Sequence, residues 1–362
     1  MELKHYTLAK LEELIRSGNY LNDEVVPITP LRVYSQQKNP KAKLDDVVLT
    51  IAYAAEGQIL GYIGALPEVV EGVRCAWNSC WWVKPGAPAE VSMKLFAAFV
   101  STWDRNVLFS EMTPLTSSII QRLGFCRHET LTGFKGYYRF AMAEVFPRKK
   151  VFFKRAKGSL MMADYLLNQL LNCRSVFFKR KNFEGIQIDV TPNLNDSDNA
   201  FIQQFNRKQP AKRLSGDFNW IGENPWVVEQ NKADGQVRKG YYFSYAVNRF
   251  CSEWVRFKQG GKLLALVNFT IKNDELKLPY VYGSESNARL ITDYCMHLLQ
   301  TDRKLAAITV FDKHVVSILN KQKGFVFKTS LPKYSAISKG LLEKAGLAGF
   351  ELQMGDGDCV FT

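Results

Sequence analysis

A chain of 362 residues, 46% hydrophobic and 23% charged, is too long for one ordinary core and too apolar for disorder, so two globular domains are expected. Its 48 Lys and Arg against 35 Asp and Glu leave a charge of +13, and apolar runs such as LLALV and LFAAFV fall far short of the roughly 20 residues a membrane span needs. The seven cysteines are scattered without a C-x-x-C pair and the four histidines have no ligand spacing, which argues against a disulfide framework and a metal site. The start, MELKHYTLAKLEEL, has no apolar leader core, so a cytoplasmic protein is expected.

ELKHY predicts a strand, and Thr7 stands as N-cap of a helix whose stripe is Leu8, Leu11, Leu14 and Ile15, with Gly18 as its stop. A loop with Pro27, Pro30 and Pro40 follows, with a helical turn at LRVYSQQ. Two β-rich runs joined at residues 55–58 predict a hairpin, and VRCAWNSCWWV is apolar enough for a central strand. Then come a helix at PAEVSMKLFAAFVSTW, a strand at NVLFSEM, a helix ending at Gly124, and two strands in GFCRHETLTGFKGYYRF.

From Arg148 to Lys181 ten cations face Asp164 alone, a local charge of +9 that suits an anionic surface, RNA or lipid, as well as a solvated linker. Within it SLMMADYLLNQLLN predicts an amphipathic helix through Leu160, Tyr165, Leu166, Leu170 and Leu171, packed on a neighbouring domain or lying on a membrane. The second half repeats the first: strand GIQIDVT, helix DSDNAFIQQFN, a hairpin across residues 273–275, a helix over SNARLITDYCMHLLQTD, strand AAITVF, a helix ending before Gly324, and final strands in GFVFKTSLPKYSAIS. The order β-α-β-β-α-β-α-β appears twice, which predicts an α/β chain of the α+β type with a domain at 1–145, a basic linker at 146–183 and a domain at 184–362.

This order, the hairpin before a central strand, and the helices leading into Leu123-Gly124-Phe125 and into Lys321–Phe325 (KQKGF) resemble the GNAT N-acyltransferase superfamily. The resemblance implies two tandem domains, each a twisted mixed sheet flanked by helices. It further implies transfer of an acyl group from acetyl-CoA, another acyl-CoA or another thioester to an amine or hydroxyl of a small molecule or peptide. Tandem chains of this kind also include transferases that use aminoacyl-tRNA, and a chain that keeps the fold as a binding protein is a further reading. In the family, acyl-CoA lies where the central strand splays from its neighbour, and amides opening the next helix meet the pyrophosphate. The matching positions are Val83, Lys84, Gly86 and Ala87 in the first half and Ser284, Ser286 and Arg289 in the second, where a serine would also cap the helix. Pro88, which has no N–H, and the acids Glu90 and Glu285 depart from that pattern, and Ile120 and Asn320 stand where many members have a tyrosine.

Glu111 is the candidate base, or a solvated strand-end charge; Cys80 is a candidate nucleophile, or a packed thiol. Trp220, Trp226, Tyr241, Tyr242 and Tyr245, with Arg238, Lys239, Arg249 and Arg256 nearby, are either core or the lining of a pocket. Asp356 and Asp358 in the terminal DGD read as a turn before a last strand, CVF.

Overall fold

Two halves with one order of elements fold as two compact units, but not as consecutive blocks of chain. The computed structural model describes residues 1–18, 21, 25–150, 152–175 and 183–361. One unit comprises Met1–Leu131, Thr191–Glu253 and Lys333–Thr362; the other comprises Thr132–Val190 and Trp254–Pro332.

In the first unit the strands run in the order Glu2–Thr7, Val47–Tyr53, Ile59–Val70, Val73–Val83, Val107–Met112, and then the later part of Phe327–Ser338. Neighbours are antiparallel except Val73–Val83 with Val107–Met112, which run parallel. Alternation along the strands sends Ile63, Ala65 and Ala76 into one cluster with Val91, Leu95 and Phe99 of helix Ala89–Thr102. Tyr62, Leu49 and Ile51 join Leu8 and Leu11 of helix Leu8–Arg16 and Val33 of helix Pro30–Gln37. Thr7 caps its helix as expected, accepting from the Lys10 N–H at 3.4 Å.

The second unit has the same order from its own edge: Gln187–Thr191, Phe250–Gln259, Lys262–Lys272, Glu275–Gly283, Ala307–Val310, and then the later part of Cys126–Tyr137. Here too the fourth and fifth strands run parallel, with Glu275 opposite Ala307, while the third and fourth, and the fifth and sixth, are antiparallel. Helices Ala288–Thr301 and Lys313–Lys321 cover this sheet through Ile291, Cys295, Leu299, Val315 and Leu319. Each unit therefore takes its sixth strand from the opposite half of the sequence. The two short strands expected in GFCRHETLTGFKGYYRF are one twelve-residue strand, Cys126–Tyr137, as are those expected after Gly324, in Phe327–Ser338. Gly133 does not break its strand because the side chain of Phe311 fills the space a Cβ would need.

The segment between the halves forms helices Met142–Lys149, Phe152–Arg155 and Lys157–Ser175, while Lys179, Arg180 and Lys181 lie outside the described residues. Among the described residues no helix is long and apolar enough to cross a membrane.

Candidate functional site

The first unit's parallel pair is brief. Ala76 lies opposite Val107 and Trp77 opposite Leu108; beyond them a cavity of about 300 Å³ opens, lined by Asn78, Cys80 and Trp81 from one strand and by Ser110, Glu111 and Met112 from the other, with Thr113 just after it. Two backbone irregularities accompany the opening. Register against Ile59–Val70 passes from Tyr62–Trp82 to Gly64–Ser79, so Cys80 and Trp81 together oppose Ile63, and Cys80 has φ +57°. That is a β-bulge, which bends the strand and re-aims its side chains. Across the cavity Glu111 also has positive φ, +52°.

Arg32, from helix Pro30–Gln37, is fully buried behind the bulge. Its guanidinium donates to the Cys80 Sγ and to the Ser79 carbonyl at 3.4 Å, and lies 4.7 Å above the Trp226 ring. Burial by itself would lower its pKa, but Cys80, Tyr241 and Asp358 around it hold the pKa above its ordinary value, so the cation persists. Gly64 makes room: a Cβ there would overlap both the Ser79 oxygen and Arg32 Nη2.

Tyr241 closes another wall, its hydroxyl 3.3 Å from the Cys80 Sγ. Burial raises the pKa of both groups, for Cys80 against the pull of Arg32, so a thiol and a phenol stand here near neutral pH. Asp358 accepts from the Ser79 hydroxyl. Burial pushes its carboxyl up, Ser79 and Arg32 oppose that, and Glu111 adds to it. Gly357, at φ +86°, lets this turn approach the strand, since a Cβ there would overlap Ser110 Oγ.

Cys80 and Glu111 thus share one cavity, with Trp226 and Tyr241 of the aromatic segment in its wall. Trp220 instead donates its indole N–H to the Ser35 carbonyl at 2.8 Å, and Tyr242 stacks on Trp82 with ring centroids 4.7 Å apart. Val83, Lys84, Gly86 and Ala87 are not among the lining residues. The Lys84 N–H donates to the Leu60 carbonyl at 2.8 Å and the Ala87 N–H to the Lys84 carbonyl at 3.0 Å, while Pro88 is the N-cap. In the second unit a 3₁₀ turn, Glu285–Asn287, precedes helix Ala288–Thr301. The expected serine cap does not form: Ser284 Oγ meets Ser286 Oγ at 2.7 Å and accepts from the Asn287 side-chain Nδ2 at 3.0 Å. Arg289 pairs with Asp293 at 3.3 Å.

Arg32 and Asp358 escape the sequence reading. Arg32 sits on a helix that buries Ser35 and Gln36 too, so polarity there does not mark the solvent face. Asp358 belongs to a turn followed by a 3₁₀ turn, Cys359–Phe361, where a strand was expected, because Phe361 is drawn into a stack with Trp226 at 4.4 Å.

No family model and no curated protein matches this sequence. Among solved structures, a tandem GNAT protein from the clavulanic acid biosynthesis pathway aligns over 93% of this chain and 98% of its own, with TM-score 0.51 and 11% identity. The fold is that of the tandem GNAT proteins. Also similar are a GCN5-related N-acetyltransferase from Anabaena variabilis (10% identity, TM-score 0.48, 92% of this chain and 72% of that one) and the Saccharomyces cerevisiae N-myristoyltransferase with bound myristoyl-CoA (12% identity, TM-score 0.48, 93% and 78%). At such identities the likeness concerns the fold alone. Within the tandem GNAT fold, the opening between the parallel strands of the first unit is where Cys80 and Glu111 meet.

Proposed function

We propose that the first unit is an N-acyltransferase, moving an acyl group from an activated ester or thioester to an amine of a small molecule or peptide. The observation that carries this is the cavity between the parallel strands, with Glu111, Cys80, Tyr241 and Asp358 on its walls. In the reaction the amine nitrogen bonds to the donor's carbonyl carbon while the bond to the leaving sulfur or oxygen breaks. Glu111 takes the proton the amine loses, and the Tyr241 phenol offers an O–H to the leaving atom. Cys80, held as a thiol, orients Tyr241. A hydroxyl acceptor would use the same groups.

Acetyl-CoA or another acyl-CoA is the donor a GNAT fold suggests, with Val83, Lys84, Gly86 and Ala87, or Ser284, Ser286 and Arg289, on its phosphates. Against that role count the Lys84 and Ala87 amides, which already donate within the chain, and Pro88, which has no N–H, while Arg289 pairs with Asp293 on the surface. This favours a second reading for the donor, an aminoacyl ester of tRNA, with the ten cations of 148–181 as the anionic contact, RNA or lipid. We further propose that the halves arose by tandem duplication, with limits at 1–145 and 184–362 around a linker at 146–183. A cytoplasmic address suits the free thiols of Cys75, Cys80, Cys126, Cys251 and Cys295.

The test is turnover with acyl-CoAs of several lengths and with aminoacyl-tRNA, each with amine acceptors. Glu111→Gln should slow whichever donor works by on the order of 10²–10⁴. No turnover and no thermal shift with either donor class would leave a binding protein in place of an enzyme.

A further inference from the structure

Helix Lys157–Ser175 is turned by two polar side chains. Asp164 accepts from the Met142 N–H at 2.9 Å and the Ala143 N–H at 2.8 Å, satisfying amides at the start of helix Met142–Lys149. One turn later, Asn168 accepts from the Phe140 N–H at 2.8 Å and donates to the Phe140 carbonyl at 2.9 Å. These fix the inner face, where Leu160, Leu167 and Leu171 are half-buried. The expected apolar stripe is thereby split, and Tyr165, Leu166 and Leu170, joined by Met161 and Met162, are turned outward, each more than half exposed. At 100° per residue these five fall on one half of the helix surface. A helix apolar on both faces is normally buried on both, so the outward face calls for a cover.

The surrounding charge identifies the cover. Lys150, Lys154 and Arg155 are exposed just before the helix, together with Phe152, and Lys157 at its first position is exposed too, 3.9 Å from Glu144. Apolar side chains of this length beside cations match a bilayer surface, where the tails take the apolar face and acidic headgroups take the cations. RNA would meet the cations but leave Leu166 and Leu170 in water.

We propose that residues 152–170 seat the protein on an anionic phospholipid membrane through Phe152, Met161, Met162, Tyr165, Leu166 and Leu170, flanked by Lys150, Lys154 and Arg155. This makes specific the anionic contact proposed above for 148–181, and it is independent of the acyl-transfer reading. Full-length protein is sedimented with vesicles of phosphatidylcholine alone and of phosphatidylcholine with phosphatidylglycerol. It should partition onto the second and be released by salt. Lys154→Gln/Arg155→Gln should weaken partitioning about 25-fold, at roughly fivefold per cation. Leu166→Glu/Leu170→Glu should weaken it on the order of 100-fold. Both sites are exposed, so each variant should melt with the wild type; if one does not, salt release of the wild-type protein still decides. Equal binding to both vesicles, or binding indifferent to both pairs of substitutions, overturns the proposal. Retention on RNA without lipid binding overturns it too, while leaving the anionic contact standing. So does a dimer, seen by sedimentation equilibrium, that Leu166→Glu/Leu170→Glu dissolves.

Discussion

Glu68 and Glu129 show how environment separates two identical side chains. Glu68 is buried, with Lys41 Nζ at 2.6 Å and Arg213 Nη2 at 3.4 Å. Burial alone would raise its pKa, but the two cations more than offset that and hold it below the ordinary carboxylate range. Its contribution to stability is present above the unfolded pKa and is lost as pH falls through the folded one. Glu68→Gln removes the buried carboxylate shared by Lys41 and Arg213, while Lys41 keeps Asp217 at 3.2 Å, and should cost on the order of 3 kcal/mol in urea unfolding at neutral pH. Glu129 has the opposite sign: burial, with Glu351 and Asp356 nearby, pushes its carboxyl up to about 7. The folded state then binds the extra proton, so stability falls as pH rises from about 4.5 to about 7. Glu129→Gln should raise the Tm at pH 8 by roughly 1–3 °C, an increment of ~1 kcal/mol, and should leave pH 4 almost unchanged. A Tm difference that does not vary with pH would contradict this assignment.

At the scale of elements, the helices and hairpins were legible because their signals are local. Thr7 announces its helix, Gly124 ends one at φ +71°, and residues 273–274 turn a hairpin whose registry runs from Lys272–Glu275 upward. The bulge at Cys80 was not legible, since it is accompanied by Arg32 packed against the strand in the space that Gly64 leaves. Two glycines test that distinction. Gly64→Ala forces a methyl against the Ser79 carbonyl and Arg32, and should lower stability by about 1–3 kcal/mol or more. Gly158→Ala meets nothing within 4 Å near the start of its helix and should raise stability by up to about 1 kcal/mol. Denaturant midpoints that move together would mean the space at Gly64 is not what constrains it.

For the whole molecule, the exchange of sixth strands governs what can fold alone. The first unit needs Ala336 and Ile337, and Phe361 stacked on Trp226, all contributed from beyond Pro332. A chain ending at Pro332 should therefore lose the cooperative unfolding transition of the first unit, seen as early exposure of buried Trp77 in fluorescence. A fragment of residues 1–145 alone should behave likewise, since it also lacks 191–253. Native-like melting of either fragment would show the exchanged strand to be dispensable.

The tandem order of elements, the helix caps and the placement of Cys80 and Glu111 on the central strands followed from the sequence alone, because periodicity and capping act over a few residues. Tertiary structure decided the rest. Which strand completes each sheet, which way the Lys157–Ser175 helix faces, and that Asp358 reaches Ser79 across 279 residues are set by side chains distant in sequence, whose pairing leaves no local trace.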